Sequence, residues 1–288
     1  MFSWVSLCGA RPAVMGIVNV TPDSFSDGGR YLDADDAVAR GLALVDEGAD
    51  VLDVGGESTR PGAEPVGESE ELRRVLPVVS RLAEAAGVPV SIDTTKAAVA
   101  AAALDAGAVI VNDITAGRFD PDVLDVVASR RAGYVAMHMQ GEPRTMQREP
   151  LYDDVVTEVG DFLVERLAVA RRAGVDDEAL CADPGVGFGK LAHHNLELLA
   201  RLDELVDRVG VPVLVGSSRK TFLGSIVAGA TGAAEPLPAD ARDDASLAAA
   251  VWALDRGASI VRVHSVRPVA ESVRFLTVMR ELDAEAVA

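Results

Sequence analysis

Residues 88–114 read VPVSIDTTKAAVAAAALDAGAVIVNDI, and this stretch decides the fold. Pro89–Asp93 is a short apolar run that turns polar at Asp93-Thr94. Ala97–Ala106 is built from Ala, Val and Leu and has helical length. Gly107 then fits the left-handed position that ends a helix. Val109–Ile114 is a second apolar run, rich in β-branched residues, that turns polar at Asn112-Asp113. Runs with no alternation between apolar and polar residues are expected of strands covered on both faces. The unit is therefore strand, helix, strand, with the strands parallel.

The same unit repeats in both directions. Further strands are expected at Val14–Val20, Asp50–Val54, Tyr134–Met139, Ala179–Asp183, Pro212–Gly216 and Ser259–His264. Helical patterns fall at about 35–47, 68–86, 121–131, 152–173, 195–209, 220–228 and 243–256, with a last helix at about 266–282. Gly48, Gly174 and Gly257 end helices as Gly107 does. Eight strands in alternation with helices imply right-handed crossovers and a (β/α)₈ TIM barrel, read as one domain over 1–288. An open doubly wound sheet is the alternative. The stretch 229–241, rich in Ala, Pro and Gly, reads as a loop.

The chain has 288 residues and a formal charge of −18. Such an acidic surface repels a phosphate backbone and argues against a nucleic-acid partner. No window has the roughly 18 apolar residues that a membrane span requires. Cys8 and Cys181 make no disulfide framework, so the expected location is the cytoplasm. Of 27 basic residues only Lys96, Lys190 and Lys220 are lysines. Where a chain this rich in Arg uses a compact ammonium, the choice can be chemical or chance.

In a barrel of this kind chemistry gathers where strands end and βα loops begin. Here every strand ends in polar residues, including Asn19, Asp53, Asp93, Asn112, His138, Asp183, Ser217-Ser218-Arg219-Lys220, Arg262 and His264. One such Asp is as well explained by helix capping; eight polar ends converging on one mouth point to an active site. Asp93, Asn112, Asp183 and Lys220 suit a flat heterocycle with ring N–H, amino and oxo groups, or else a buried salt-bridge network. Asn19, Arg60, Ser218, Arg262 and His264 suit an anion such as phosphate. The Gly-rich loops after strands 1 and 2 can bring backbone N–H groups close to a ligand, or can simply be surface loops.

Other motifs fail on inspection. The run 183–190, DPGVGFGK, lacks the spacing and the Ser or Thr of a phosphate loop. His193 and His194 point to different helix faces. No zinc spacing and no nucleophile elbow is present.

Eight segments carry a resemblance: MGIVNVTPDSFSDGG from Met15, DVGGESTRPGA from Asp53, SIDT from Ser91, VNDI from Val111, MHMQGEPRTMQ from Met137, DPGVGFGK from Asp183, SSRK from Ser217 and RVH from Arg262. In these the chain resembles the bacterial dihydropteroate synthases along nearly its whole length. The resemblance implies condensation of 6-hydroxymethyl-7,8-dihydropterin pyrophosphate with p-aminobenzoate, giving 7,8-dihydropteroate and pyrophosphate. It implies that Asp93, Asn112, Asp183 and Lys220 hold the pterin, with Ile114, Met137 and Gly216 lining the pocket and Arg262 over the ring. Asp93, Asp183 and Lys220 would be the catalytic groups. Asn19, Arg60, Ser218, Arg262 and His264 would hold the pyrophosphate, with Asn19 beside Mg²⁺. Phe25, Thr59, Arg60, Pro61, Phe188, Lys220 and Thr221 would shape the p-aminobenzoate site, where sulfonamides compete. A homodimer through the last helices is implied as well.

Two departures stand out. The family usually has Asp after the strand-8 histidine, where this chain has Ser265, which puts the hydrogen bonding around His264 in question. The connector between strands 7 and 8 is long and acidic and is expected to lie away from the mouth. The competing readings are a pterin-dependent methyltransferase and a paralogue that binds pterin without turnover. SSRK and the first two loops argue against the former, and the complete set of polar residues argues against the latter.

Overall fold

The computed structural model describes residues 1–20, 34–58, 63–142, 144–233 and 235–287, and the side chains among these except at 231 and 284–287. Eight strands run β1 Ala13–Asn19, β2 Val51–Gly55, β3 Val90–Asp93, β4 Ile110–Asp113, β5 Gly133–Met137, β6 Leu180–Asp183, β7 Leu214–Val215 and β8 Ile260–Val263. All pairings are parallel, in the order β6-β5-β4-β3-β2-β1-β8-β7. The two ends of that order meet: Ala182 bridges Val213, and the Ala182 N–H donates to the Pro212 carbonyl at 3.0 Å. That contact closes the ring, and the open doubly wound alternative is excluded.

Around the ring lie α2 Ala34–Asp46, α3 Glu68–Ala85, α4 Ala97–Asp105, α5 Asp122–Arg130, α6 Val155–Arg172, α7 Ala192–Ala200, α8 Leu202–Val209, α9 Thr221–Thr231, α10 Asp243–Asp255 and α11 Val266–Val287. The helix expected over 195–209 is two helices, broken at Arg201, whose φ of −111° and ψ of 32° leave the helical region. The stretch expected to loop from 229 to 241 is helical at both ends, since α9 reaches Thr231 and a 3₁₀ turn begins at Ala239. A further short helix, α1 Trp4–Cys8, is absent from the pattern reading. Ser3 caps it, its hydroxyl accepting from the Ser6 N–H at 3.1 Å.

The core has two layers because strand residues alternate between faces. Val14, Leu52, Val54, Ile92, Val111, Tyr134, Val213 and Val261 pack outward against the helices. Ala13, Met15, Val51, Ile110, Val135, Cys181, Leu214 and Ile260 fill the barrel interior, where Trp4 of α1 joins them and plugs the floor. Gly133 is required there: a Cβ would come within 2.5 Å of the Phe2 ring.

Candidate active site

The floor residues fix where the functional side chains go. Two positions along a strand return to the same face. Val51 is followed at that spacing by Asp53, Ser91 by Asp93, Ile110 by Asn112, Val135 by Met137, Cys181 by Asp183, Leu214 by Gly216, and Ile260 by Arg262. A layer that is apolar except at Ser91 thus carries Asp53, Asp93, Asn112, Asp183 and Arg262 above it, with Met137 and Gly216 among them, at the C-terminal end of the strands. Their odd neighbours face elsewhere. Asp113 accepts from the Thr115 N–H and hydroxyl, the Gly117 N–H and the Tyr134 hydroxyl, so it pins the β4–α5 turn and is no part of the mouth.

Arg262 is the centre of the layer. Its Nε donates to Asp53 Oδ2 at 2.6 Å and its Nη2 to Asp93 Oδ2 at 2.8 Å. Asn112 donates from Nδ2 to the same Asp53 oxygen at 3.0 Å. Asp53 is fully buried, and in the sequence it looks like one more polar strand end. The free signal was its parity with Val51. Gly216 lies against Arg262, a Cβ there meeting Arg262 Cβ at 3.8 Å.

Lys220 precedes α9. Its ammonium donates to the Val186 carbonyl and stands 4.4 Å over the centre of the Phe188 ring. A cation held over an aromatic face gains from the ring quadrupole. Gly187 leaves room for the stem, since a Cβ there would reach Lys220 Cδ at 2.7 Å. Asp183 accepts from the Gly185 N–H at 2.7 Å. Ile114, Met137, Met139 and Met146 form a small buried apolar cluster with Phe188 against it, giving the polar layer one apolar wall.

Burial and charge work on these groups in opposite senses. Burial pushes the Asp93 carboxyl up to about 7, although Arg262 pulls the other way and Asp53 adds to the rise. Burial raises Asp183 as well, against the opposing charge of Lys220. The Lys220 ammonium is pushed down to about 8 by burial, with Asp183 resisting. Buried Asp53 Oδ1, Asn112 Oδ1 and Ser91 Oγ have no protein partner. Unpartnered buried polar atoms are costly unless a ligand or water satisfies them.

Of the second predicted set, Ser218 and His264 are in direct contact. Ser218 Oγ and His264 Nδ1 are 3.0 Å apart, and the His264 N–H donates to the same hydroxyl at 3.2 Å. Asn19 ends β1, paired in register with Gly55 of β2. Thr221 opens α9. Phe25, Thr59, Arg60 and Pro61 lie outside the described residues.

Two lysines other than Lys220 sit at loop roots. Lys190 is buried, its Nζ 2.8 Å from His138 Nδ1 and donating to the carbonyls of Gly185 and Phe188 at 3.0 and 3.1 Å. His138 therefore serves the loop after β6, not the mouth. Lys96 Nζ is 2.5 Å from both Glu57 and Glu71, at the base of the loop after β2.

The connector between β7 and β8 does not lie away from the mouth, contrary to the expectation from its composition. Asp243, the first residue of its helix α10, takes both forks of Arg219 at 2.6 and 2.8 Å. Ser265, the residue that departs from the RVHDV pattern, donates to Asp243 Oδ2 at 2.7 Å. The acidic composition that suggested a solvent loop supplies the carboxylate at this place.

A closed parallel barrel with carboxylates, an amide and an ammonium above its floor, and a Ser–His pair beside them, is an enzyme scaffold with a ligand mouth. Residues 15–264 match the family model described as pterin binding enzyme. The chain is 50% identical over 268 residues to the dihydropteroate synthase of Mycobacterium leprae, covering 91% of this chain and 92% of that one. It is 48% identical to the Xanthomonas albilineans dihydropteroate synthase solved with 4-aminobenzoic acid, with a TM-score of 0.85 and coverage of 94% and 93%. Against the structure from the same organism in complex with 7,8-dihydropteroate it is 46% identical, with a TM-score of 0.82 and 94% of each chain covered. The chain belongs to the dihydropteroate synthase family of pterin-binding enzymes.

Proposed function

We propose that the mouth condenses 6-hydroxymethyl-7,8-dihydropterin pyrophosphate with p-aminobenzoate, forming 7,8-dihydropteroate and pyrophosphate for folate synthesis. The observation that carries this reading is the single polar layer of Asp53, Asp93, Asn112 and Arg262, linked side chain to side chain above the barrel floor. The relatives named above, one bound to 4-aminobenzoic acid and one to dihydropteroate, support it.

In this reading Asp93, Asn112, Asp183 and Lys220 hold the pterin, with Ile114, Met137 and Gly216 against the ring and Arg262 over it. The Asn112 Oδ1 left without a protein partner suits a ring N–H or amino donor. Ser218, Arg262 and His264, with Asn19 and Arg60, hold the diphosphate; cationic groups there lower the cost of its departure. The bond from the exocyclic carbon to the diphosphate oxygen breaks with both electrons going to oxygen. The carbon left behind is cationic, and the ring spreads the charge. Asp93 and Asp183, in their ionised forms, face it as negative charges. The aniline nitrogen of p-aminobenzoate, neutral at pH 7, gives its lone pair to that carbon and then loses a proton. Phe25, Thr59, Arg60, Pro61, Phe188, Lys220 and Thr221 form its site, and sulfonamides of similar shape compete there.

Mg²⁺ fits this donor set. Among the described residues no group of three or more His, Cys, Asp or Glu gathers to cage a cation. Asn19 offers one hard amide oxygen, and Mg²⁺ commonly keeps its waters and binds through few protein ligands plus substrate phosphates. When bound, the ion neutralises diphosphate charge.

A homodimer is part of the proposal. Phe275, Val278, Met279 and Leu282 stand exposed at helical spacing on α11, an apolar stripe that a second copy would cover. No helix among the described residues is long and apolar enough to cross a membrane.

The test is incubation of the purified protein with the dihydropterin pyrophosphate, p-aminobenzoate and Mg²⁺. Dihydropteroate and pyrophosphate should appear in equal amounts. Pterin binding without product would instead favour the non-catalytic paralogue.

A further inference from the structure

Arg219 separates Ser218 and Lys220, two residues assigned above to the ligand. Its φ is +59°, in the left-handed region that a side chain with a Cβ enters at steric cost. The turn therefore needs outside support, and most of its contacts come from one place. The Arg219 N–H donates to Ser246 Oγ at 2.8 Å. Its carbonyl accepts from Arg242 Nη1 at 2.8 Å. Its guanidinium forks onto both oxygens of Asp243. The Ser246 hydroxyl in turn donates to the Arg242 carbonyl at 2.6 Å. Arg242, Asp243 and Ser246 are the cap and first turn of α10, in the connector between β7 and β8. Ser265, next to His264, closes the network on Asp243 and lies 3.5 Å from Arg219 Nη2.

We propose that Asp243 is a positioning residue: it fixes Arg219 in its left-handed turn and so sets Ser218 toward His264 and Lys220 toward Asp183, without itself touching the ligand. This rests on the reading of Ser218 and Lys220 given above. The pair is about one-third exposed on each side, so bare ion pairing would contribute little. The bidentate fork supplies the geometry instead. The hydrogen bond from Arg219 also keeps Asp243 below the ordinary carboxylate range, hence charged at neutral pH. Because Ser265 Oγ approaches the same guanidinium, a carboxylate at 265 would reach Arg219 equally well. The function needs one carboxylate at this point, and either chain position can supply it.

The experiment relocates that charge. Asp243→Asn is compared with the double variant Asp243→Asn/Ser265→Asp and with the unmodified protein, by initial rates, by calorimetric binding of inorganic pyrophosphate with Mg²⁺, and by thermal melting. Asp243→Asn should lower kcat and pyrophosphate affinity about tenfold, as loss of an outer partner of a ligand-holding group commonly does. The double variant should recover most of both. If Asp243→Asn fails to fold, recovery of folding and turnover in the double variant still supports the proposal. Unchanged rates and affinity in Asp243→Asn would overturn it. So would a loss that the folded double variant does not recover. Should the unmodified protein form no dihydropteroate, the functional reading fails by itself, and pyrophosphate affinity alone then decides the positioning role.

Discussion

Replacing Asp93 by Asn should stabilise the substrate-free protein while abolishing most of its turnover. Asp93 titrates near 7 in the folded chain because burial disfavours its charge, and only 15% of its side chain is exposed. A free aspartate titrates near 3.8. Below pH 4 both states hold the proton and nothing is lost. Between about 4 and 7 the folded chain keeps a proton that the unfolded chain has released, so stability falls as pH rises. Above 7 the loss is complete, and at about 1.4 kcal/mol for each tenfold step it is on the order of a few kcal/mol. Asn has the shape of the neutral acid and escapes that loss. In a chain of this size the gain at pH 8.5 corresponds to roughly 8 °C in Tm, falling to less than half at pH 5. Calorimetric melts of both proteins at the two pH values read it directly. Equal Tm values at pH 8.5, or a gap that does not shrink on acidification, would refute the claim that a buried charge at 93 destabilises the fold.

Two further predictions follow from the same geometry. The pH profile of kcat/KM, which reports the free enzyme, should be a narrow bell, rising near 7 as Asp93 ionises and falling near 8 as Lys220 loses its proton; a flat profile from pH 6 to 9 would exclude both assignments. Gly185→Ala should destroy the loop after β6, because φ there is +65° and the new Cβ would come within 1.8 Å of the His138 carbonyl oxygen; a folded variant of full activity would show that the loop can move without consequence.

Much of the barrel was legible because each strand is a local signal: a short apolar run, a polar end, a helix and a Gly stop. The site was legible in outline for the same reason, since polar ends of parallel strands share one rim. Asp53 was not singled out, because its importance lies in a partner 209 residues away, Arg262, that only ring closure brings near. Asp113 carries the same polar signal as Asn112 beside it, and His138 is the polar neighbour of apolar Met137, yet both face away from the mouth; counting by twos from the floor residues separates them. Helix α1 spans five residues, too few for a periodic pattern to register. The connector was misjudged because composition reports solvent exposure, whereas Asp243 acts through a single directed contact.

The central claim is that the layer above the barrel floor receives one ligand. A crystal structure of the protein soaked with the dihydropterin pyrophosphate tests it most directly. The ring should lie between Asp93, Asn112, Asp183 and Lys220 and the diphosphate on Ser218, Arg262 and His264. A ring bound elsewhere, or a diphosphate away from Ser218, Arg262 and His264 with ligand present at saturation, would contradict it.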